Sequence, residues 1–325
     1  MASPSLWPGL GLSAAAALVA ALVARVLPTV SALLVAILLG IALVHVAPLG
    51  ERWRPGLAVA AKRLLRVGIV LLGLQLSLRD IAALGPGVIA LVVTVVAVGV
   101  IGTTWLGRRL GLSGPLSLLI ASGFSICGAA AVAAVEEESE ADETETATAI
   151  GLVVLFGTVM IGVVPLLAST LGLHDAAAGL LAGSAIHEVA QVVAAAGIIG
   201  GSALATAVLV KLARVLMLAP LILALGWRRR RRGPSGGTRA TPLVPLFVAG
   251  FLSMTLVRTW LPLPPDVFSM AKTVQVLLLS AAMFALGTGV HVSLLRTVGG
   301  RPVLLGALST ALVTLIGTLG ALILG

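Results

Sequence analysis

Three polar side chains lie within five positions of one another in an apolar segment, as His187, Glu188 and Gln191 of GSAIHEVAQVVAAAG (183–197). On a continuous helix, residues four apart share a face, so His187 and Gln191 would point the same way and Glu188 would lie about 100° round. Imidazole and amide N–H groups can donate to an oxyanion, and a carboxylate can carry a proton or hold a cation. Histidine can also act as a protonation switch. The alternative is a polar cluster that only fixes helix packing.

Lys211 and Arg214 lie one helical turn apart inside the apolar stretch 203–226. A Lys or Arg at the centre of a membrane helix costs about 2.5–3.5 kcal/mol on insertion scales, so another interaction must offset it. Two such cations suit a bound anion. The alternatives are that both side chains extend to the membrane interface or that they pair with Glu188.

Two glycine-rich stretches favour breaks in a helix. The first is SGFSICG (122–128), and the second is Gly287-Thr288-Gly289, followed by His291. A broken membrane helix exposes backbone N–H and C=O groups near the midplane, where transporters bind their substrates. Small residues in membrane helices equally favour close helix packing.

The candidate substrate-binding residues share either a polar side chain in an apolar span or a place at a predicted break. They are Ser122, Ser125, Cys127, Gly128, His187, Glu188, Gln191, Lys211, Arg214, Gly287, Thr288 and Gly289.

The composition requires membrane helices to position these residues. Of 325 residues, 59% are hydrophobic and 10% are charged, and the mean hydropathy is +1.17. The apolar runs are continuous, which predicts an all-α polytopic membrane protein. About eleven crossings are predicted. They lie near 9–27, 29–47, 64–79, 85–107, 115–135, 147–171, 176–199, 203–226, 242–261, 273–291 and 302–324, and the segment 51–63 is predicted to be an interfacial connector.

Basic residues follow the second, fourth, eighth and tenth predicted crossings, most densely in RRRRR (228–232). The positive-inside rule therefore places the N-terminus in the cytoplasm and the C-terminus outside. The exceptions are Arg25, Arg79, Arg258 and Lys272. The acidic run EEESEADETE (136–145) is expected to form a solvated loop or the start of a helix.

The same composition argues against several classes of protein. The single cysteine excludes a disulfide framework, and no Cys/His spacing suits a closed zinc site. The net charge of +9 sits largely in blocks beside apolar runs, which indicates topology rather than nucleic-acid binding. We therefore expect no metal, cofactor or nucleic-acid partner. The first apolar run lacks a basic leader and a cleavage site, so we interpret it as a retained helix.

Two pairs of similar short segments bear on internal symmetry. Arg63-Leu-Leu-Arg66-Val67 resembles Lys211-Leu-Ala-Arg214-Val215, five predicted crossings later. This predicts a five-plus-five inverted repeat, 28–173 against 176–325, within a single membrane domain of residues 1–325. A competing similarity pairs Leu72-Gly73 and Gly85 with Leu286-Gly287 and Gly299, and it does not fit that division.

Several long stretches resemble the YeiH-type sulfate exporter family of bacterial inner-membrane proteins. They are GIVLLGLQLSLRDI (68–81), SICGAAAVAAV (125–135), ATAIGLVVLFGTVMIGVVPLLASTLGL (147–173), GLLAGSAIHEVAQVVAAAG (179–197), VKLARVLMLAP (210–220) and ALGTGVHVSLLRTVGGRPVLLGAL (285–308). The resemblance implies a secondary transporter with an inverted-repeat fold and crossing discontinuous helices, like that of bile-acid symporters and sodium/proton antiporters. Where many members of that family carry Asp after the histidine, this chain has Glu188.

Taken together, the residues and the resemblance favour a carrier of a small anion over an enzyme. Sulfate, a related sulfur oxyanion or an organosulfonate is the expected substrate. Export is the expected direction, because each negative charge that leaves a negative interior is favoured by about 2.3 kcal/mol per 100 mV. Expected partners are the lipid bilayer, a coupling proton or sodium ion, and a second copy in a homodimer.

Two alternative functions use the same residues differently. A cation/proton antiporter would use Glu188 as its ion-binding carboxylate, with the basic pair as a structural counter-charge. A membrane hydrolase would use Cys127, His187 and Glu188, although the sequence contains no nucleophile-activating context.

Overall fold

The computed structural model describes residues 5–27, 32–47, 49–200, 202–231, 246–289 and 299–325. Within these ranges every regular element is helical. A helix satisfies its own backbone hydrogen bonds, which is what an apolar chain in lipid requires. Six described helices are long and apolar enough to cross a membrane: Trp7–Val26, Gly85–Arg109, Glu143–Thr170, Ala203–Arg228, Pro265–Thr288 and Gly300–Leu324. The prediction of an all-α membrane protein is therefore confirmed.

The helices follow one another with short connections. The first part of the chain forms α1 (Trp7–Val26), α2 (Ala32–Val46), α3 (Arg54–Val59), α4 (Leu65–Leu72), α5 (Leu78–Ala83) and α6 (Gly85–Arg109), with a π-helical turn Ala60–Leu64 joining α3 to α4. The middle part forms α7 (Gly114–Ser125), α8 (Ala129–Ser139), α9 (Glu143–Thr170), α10 (Asp175–Ala185) and α11 (Val189–Ile199). The last part forms α12 (Ala203–Leu216), α13 (Leu218–Arg231), α14 (Leu246–Trp260), α15 (Pro265–Thr288) and α16 (Gly300–Leu324).

Helices α7 and α8 form a re-entrant hairpin. The Ser113 hydroxyl at the start of α7 donates to the Glu145 carboxylate at the start of α9. Farther along, Gly123 packs so closely on α9 that a Cβ there would lie 2.8 Å from Val153 Cγ2. Two contacts in this order mean that α7 and α9 run in the same direction. Helix α8 must therefore return to the end of the bundle from which α7 entered.

Helices α10 and α11 form a second hairpin by the same criterion. The Ser202 N–H before α12 donates to the Asp175 carboxylate at the start of α10, at 3.3 Å. Gly179 packs on Ala203, and Gly183 packs on Ala207, so α10 and α12 also run in the same direction. Helix α11 is the returning arm.

The two hairpins enter from opposite ends of the bundle. Helix α9 begins beside the first hairpin, ends beside the second and has 28 residues, a length of about 42 Å. The hairpin arms have 11 or 12 residues, about 16–18 Å, so each hairpin reaches only part of the way across. The tips, residues 126–128 and 186–188, meet inside the bundle. We call the end that carries Arg108 and Arg109 the basic end; the first hairpin enters there.

Two expectations about the spans need correction. The predicted interruption within 122–128 is confirmed, but 115–135 and 176–199 are hairpins rather than crossings, because periodicity does not reveal whether a chain reverses after a break. The predicted break at 287–289 falls where α15 ends, since the helix stops at Thr288 and Gly289 is its C-cap; residues 290–298 lie outside the described ranges. The segment 51–63 is not only a connector, since helix begins at Arg54 and continues through a π turn into α4.

The helices form two groups. The hairpin group comprises α6 to α13 and α16, and the outer group comprises α1 to α4, α14 and α15. Packing within the outer group is close: a Cβ on Gly40 of α2 would lie 2.2 Å from the Phe284 oxygen of α15. Contacts between the groups are sparse and include α2 with α11 and α4 with α8. Lys62 and Glu136 form an ion pair across this boundary, at 3.8 Å.

Candidate functional site

The C-terminal end of α7 lies at the first hairpin tip, where its last carbonyl groups lack helical partners. Arg214 of α12 supplies two donors to them. Its Nε donates to the Ser125 oxygen at 3.0 Å, and its Nη2 donates to the Phe124 oxygen at 3.0 Å. The Lys211 ammonium donates to the next carbonyl, that of Ile126, at 2.7 Å.

The C-terminal end of α10 receives the same two cations. Arg214 Nη1 lies within hydrogen-bond distance of three carbonyl oxygens, those of Gly183 at 2.9 Å, Ser184 at 2.7 Å and Ile186 at 3.0 Å. Lys211 also donates to the Ile186 oxygen, at 2.8 Å. The C-terminus of a helix carries partial negative charge, so two cations here stabilise two converging helix ends at once.

The N-terminal ends of the returning helices lie on the other side of the tips. The Glu188 carboxylate accepts from the N–H of Ala129, the first residue of α8, at 3.0 Å. Glu188 is itself the N-cap residue of α11 and forms a capping box with Gln191, whose Oε1 accepts from the Glu188 N–H at 3.2 Å. One carboxylate therefore faces two positive helix ends.

His187 connects the second tip to α7 and α16. Its Nδ1 lies 3.2 Å from the Phe124 oxygen, and its Nε2 lies 3.1 Å from the Thr310 hydroxyl. A carbonyl only accepts, so Nδ1 carries a proton, while the Thr310 hydroxyl donates its own proton to the Gly306 oxygen of α16 at 2.9 Å. The imidazole also packs against the Phe124 ring, with centroids 4.4 Å apart.

Three buried polar atoms around the tips have no hydrogen-bond partner among the described residues: Gln191 Nε2, Ser125 Oγ and Ser184 Oγ. The Gln191 carboxamide lies against α9, where a Cβ on Gly157 would be 2.0 Å from its Oε1. The Ser125 hydroxyl lies against Gly99 of α6. Unpaired buried donors of this kind are uncommon and require an explanation.

The residues of the cluster are buried to different degrees. Cys127 and Glu188 are each 7% exposed and Thr310 is 8% exposed, whereas His187, Lys211 and Arg214 are 0% exposed. The two cations and the imidazole therefore lie deepest in the cluster.

The structure brings nine of the twelve candidate residues to the two hairpins, those from Ser122 to Gly128 and from His187 to Arg214. Ser122 contributes least, because its hydroxyl donates to the Leu119 oxygen of its own helix at 3.0 Å. Gly287 instead packs against α2, where a Cβ would lie 2.3 Å from the Ile37 oxygen. Thr288 and Gly289 close the end of the same helix, with the Thr288 hydroxyl on the Ala285 oxygen at 2.7 Å. His291 lies outside the described residues.

Two expected relationships are corrected. His187 and Gln191 do not share a helix face, since His187 lies in the bend before α11 begins at Val189. Glu188 does not form an ion pair with Lys211 or Arg214, all three of which the structure describes; it binds a helix N-terminus, and the cations bind helix C-termini. The alternative that Lys211 and Arg214 extend to the membrane interface is also wrong, because both side chains are fully buried.

Phe124, Ala129 and Thr310 complete the cluster, and nothing in their residue type or spacing predicts this. Phe124 and Ala129 act through backbone atoms, which any residue has. Thr310 lies 123 positions from His187 in an ordinary apolar helix, so only the packing of α16 brings it there.

The fold and this buried polar cluster define the class: the protein is a multi-pass, all-helical membrane protein. The chain belongs to the family described as Conserved hypothetical protein 698, whose model matches residues 8–306. This description names no substrate, so the sulfate-exporter function implied by the resemblance to the YeiH-type family does not follow from the match.

Relatives in three bacteria carry the name UPF0324 membrane protein. The relative from Corynebacterium glutamicum is 49% identical over 97% of this chain and 92% of its own length. The relative from Pseudomonas aeruginosa is 39% identical over 96% of this chain and 92% of its own. The relative from Bradyrhizobium diazoefficiens is 38% identical over 88% of this chain and 82% of its own length. No solved structure matches the chain.

Proposed function

We propose that this protein is a secondary transporter of a small anion, with its substrate site at the meeting point of the two hairpin tips. One observation carries the proposal: two buried cations, which lie at the negative ends of α7 and α10, and the positive ends of α8 and α11 converge there with a single buried carboxylate. Among the described residues that are buried, Lys211, Arg214 and Glu188 are the charged side chains. The formal excess is one positive charge, which a bound anion would neutralise.

The hydrogen bonds assign different tasks to the two cations. Arg214 uses its guanidinium on five carbonyl oxygens, so it holds the tips together. Lys211 uses two of its three N–H donors on carbonyls, which leaves one donor for a ligand. Gln191 Nε2 is a second free donor at the tips. These two groups are the side chains we assign to substrate.

The two helix groups supply a means of alternating access. Transporters commonly move one bundle as a rigid body against another around a fixed central site. Here the whole candidate cluster belongs to the hairpin group, and contacts with the outer group are sparse. We infer that the hairpin group moves and that the outer group stays in place.

We further propose an inverted repeat that pairs α4 and α6 with α15 and α16, in place of eleven crossings in a strict five-plus-five order. Gly85 begins α6 and Gly299 directly precedes α16, with φ of 82° and 75°. Gly73 packs on a backbone oxygen of α14, and Gly287 packs on one of α2. By this pairing α14 corresponds to α2. The first hairpin and α9 correspond to the second hairpin and α12. The second repeat is then circularly permuted, because its hairpin comes before α14, α15 and α16 in the chain, whereas the first hairpin comes after α2, α4 and α6.

The remaining parts of the proposal concern substrate and setting. We propose sulfate, a related sulfur oxyanion or an organosulfonate as substrate, exported across the bacterial inner membrane, and no enzymatic activity. The basic end would face the cytoplasm, with the N-terminus there and the C-terminus outside. A proton or sodium ion is the proposed coupling partner if the protein imports, and a homodimer is the proposed assembly.

The test is anion counterflow in proteoliposomes. Wild-type protein should exchange labelled sulfate against internal sulfate, thiosulfate or taurine. Lys211→Met should reduce that flux at least about tenfold, because the free donor and its charge are lost. Lys272→Met, at an exposed lysine of α15, should stay within about twofold of wild type. Thermal stabilisation of the wild-type protein by the same anions is a second measurement that needs no variant.

The antiporter alternative predicts a different result. Sodium- or potassium-dependent proton movement that Glu188→Gln abolishes, with no anion counterflow, would contradict our proposal and support that alternative.

A further inference from the structure

We propose that the Glu188 side chain occupies part of the anion site whenever substrate is absent, and that substrate and this carboxylate compete for the same backbone donor. This inference rests on the proposed function. It adds a mechanism for the empty carrier: Glu188 acts as a tethered anion that compensates part of the positive charge of the site during the return step.

The position of the carboxylate supports this role. Its Oε1 accepts from the Ala129 N–H at 3.0 Å. That amide is the first of α8, and the N-terminus of a helix is where oxyanions bind in proteins. The donor is thus one that a substrate oxyanion would use, and a side chain of the opposite hairpin occupies it.

A second, independent observation points to a ligand at this place. The Gln191 carboxamide is fully buried, and its Oε1 is bonded to the Glu188 N–H at the start of α11. Its Nε2 therefore lies at the same helix end, where it has no partner among the described residues. An oxyanion that displaced the carboxylate would give this donor an acceptor.

The surroundings allow the carboxylate to leave. Glu188 and Cys127 are each 7% exposed, so Glu188 is less completely enclosed than the two cations. Neither cation forms an ion pair with it in the described structure. Glu188 can therefore move away without breaking the carbonyl contacts of Lys211 and Arg214 that hold the tips.

Competition has a defined kinetic consequence. With Glu188 in place, the empty site carries less uncompensated positive charge. The empty carrier can then convert between its inward-facing and outward-facing states, which permits net transport. Without the carboxylate, more positive charge stays uncompensated, and the carrier should convert readily only when an anion is bound. The protein would then exchange anions but transport few of them in one direction.

The experiment compares Glu188→Gln, Glu188→Asp and the control Glu143→Gln, an exposed carboxylate of α9, with sulfate as the probe. Glu188→Gln should bind sulfate about tenfold more tightly, because a neutral competitor replaces a charged one. Its net sulfate efflux should fall at least about tenfold, and much further than its sulfate/sulfate exchange. Glu188→Asp should keep more net efflux than Glu188→Gln, and Glu143→Gln should retain net efflux.

If wild-type protein binds and exchanges sulfate but Glu188→Gln binds it equally or more weakly, the tethered-anion role is wrong and the transporter stands. If the wild-type protein neither binds nor transports any of the probe anions, both the proposed function and the tethered-anion role are wrong. Should Glu188→Gln not fold, infrared difference spectra decide: sulfate binding to wild-type protein must perturb a carboxylate band that changes in Glu188→Asp. An unperturbed band would overturn the role.

Discussion

Gly128 lies directly against Glu188: a Cβ at position 128 would be 2.2 Å from the Glu188 Cγ. The two residues belong to opposite hairpins, and the glycine has a φ of 79°. The contact of the two tips thus depends on a residue that has neither a side chain nor the usual backbone restriction.

Gly128→Ala should therefore separate the tips. The positive φ alone costs about 1–3 kcal/mol for a residue with a Cβ, and the clash displaces the Glu188 side chain. We expect a lower melting temperature in detergent and loss of anion counterflow. Gly162→Ala is the matched control, because nothing lies within 4 Å of its added Cβ. If Gly128→Ala melted and transported like Gly162→Ala, the tips would not meet as described.

Arg214→Ala should destabilise the protein more than any change at an exposed arginine. Removal of the guanidinium leaves the carbonyl groups of two helix ends without donors, at about 3–5 kcal/mol. Arg214→Lys should rescue little, since one ammonium has three donors in place of a planar fork. The measurement is the melting temperature, with Arg228→Ala, exposed and later in the same apolar span, as the control. A stable, folded Arg214→Ala protein would contradict the capping role.

The hairpins predict a pattern of side-specific labelling in a Cys127→Ala background. Cysteines at Arg109 and Ala141 should react with an impermeant thiol reagent from one side, and cysteines at His174 and Ser202 should react from the other. Continuous crossings over 115–135 and 176–199 would instead place Ala141 with Ser202 and Arg109 with His174. Labelling of intact cells and inverted vesicles distinguishes the two patterns.

Movement between the two helix groups can be tested by cross-linking. Lys62 and Glu136 lie in different groups and are joined by an ion pair. A short bifunctional thiol cross-linker between Lys62→Cys and Glu136→Cys should abolish counterflow, because it fixes one group to the other. The control joins Gln75→Cys to Gln275→Cys, whose side-chain amides are hydrogen bonded within the outer group. Equal flux through both cross-linked proteins would mean that the groups do not move apart.

Sequence reasoning identified most of the residues of the site from their type alone. Lys211, Arg214 and Glu188 attract notice because a charge in an apolar span must be compensated by something. The break at 122–128 was also predictable, since glycines weaken a helix and serine hydroxyls can bond the backbone groups that a break frees. Gly287-Thr288-Gly289 ends α15, but Gly287 packs against α2 and does not lie at the hairpin tips, because glycine serves close packing as well as a break.

The direction of the chain after a break was not predictable. A crossing and a hairpin have the same composition and length in sequence, and they differ only in which neighbours the second arm contacts. Contacts such as Ser113 with Glu145, and Ser202 with Asp175, make that choice. The competing sequence similarity, that of Gly85 with Gly299, lies at the starts of α6 and α16, and only the tertiary structure shows that these two helices pack against each other.

The sequence by itself therefore determined that this protein is a bundle of membrane helices with buried charge near its middle, because a long continuous apolar run in lipid must satisfy its backbone hydrogen bonds within itself, as a helix does. Only the tertiary structure decided what each charge does. Helix ends carry partial charges that no residue type records, and their positions follow from packing. Packing placed the ends of α7 and α10 at the two cations and the start of α8 at Glu188.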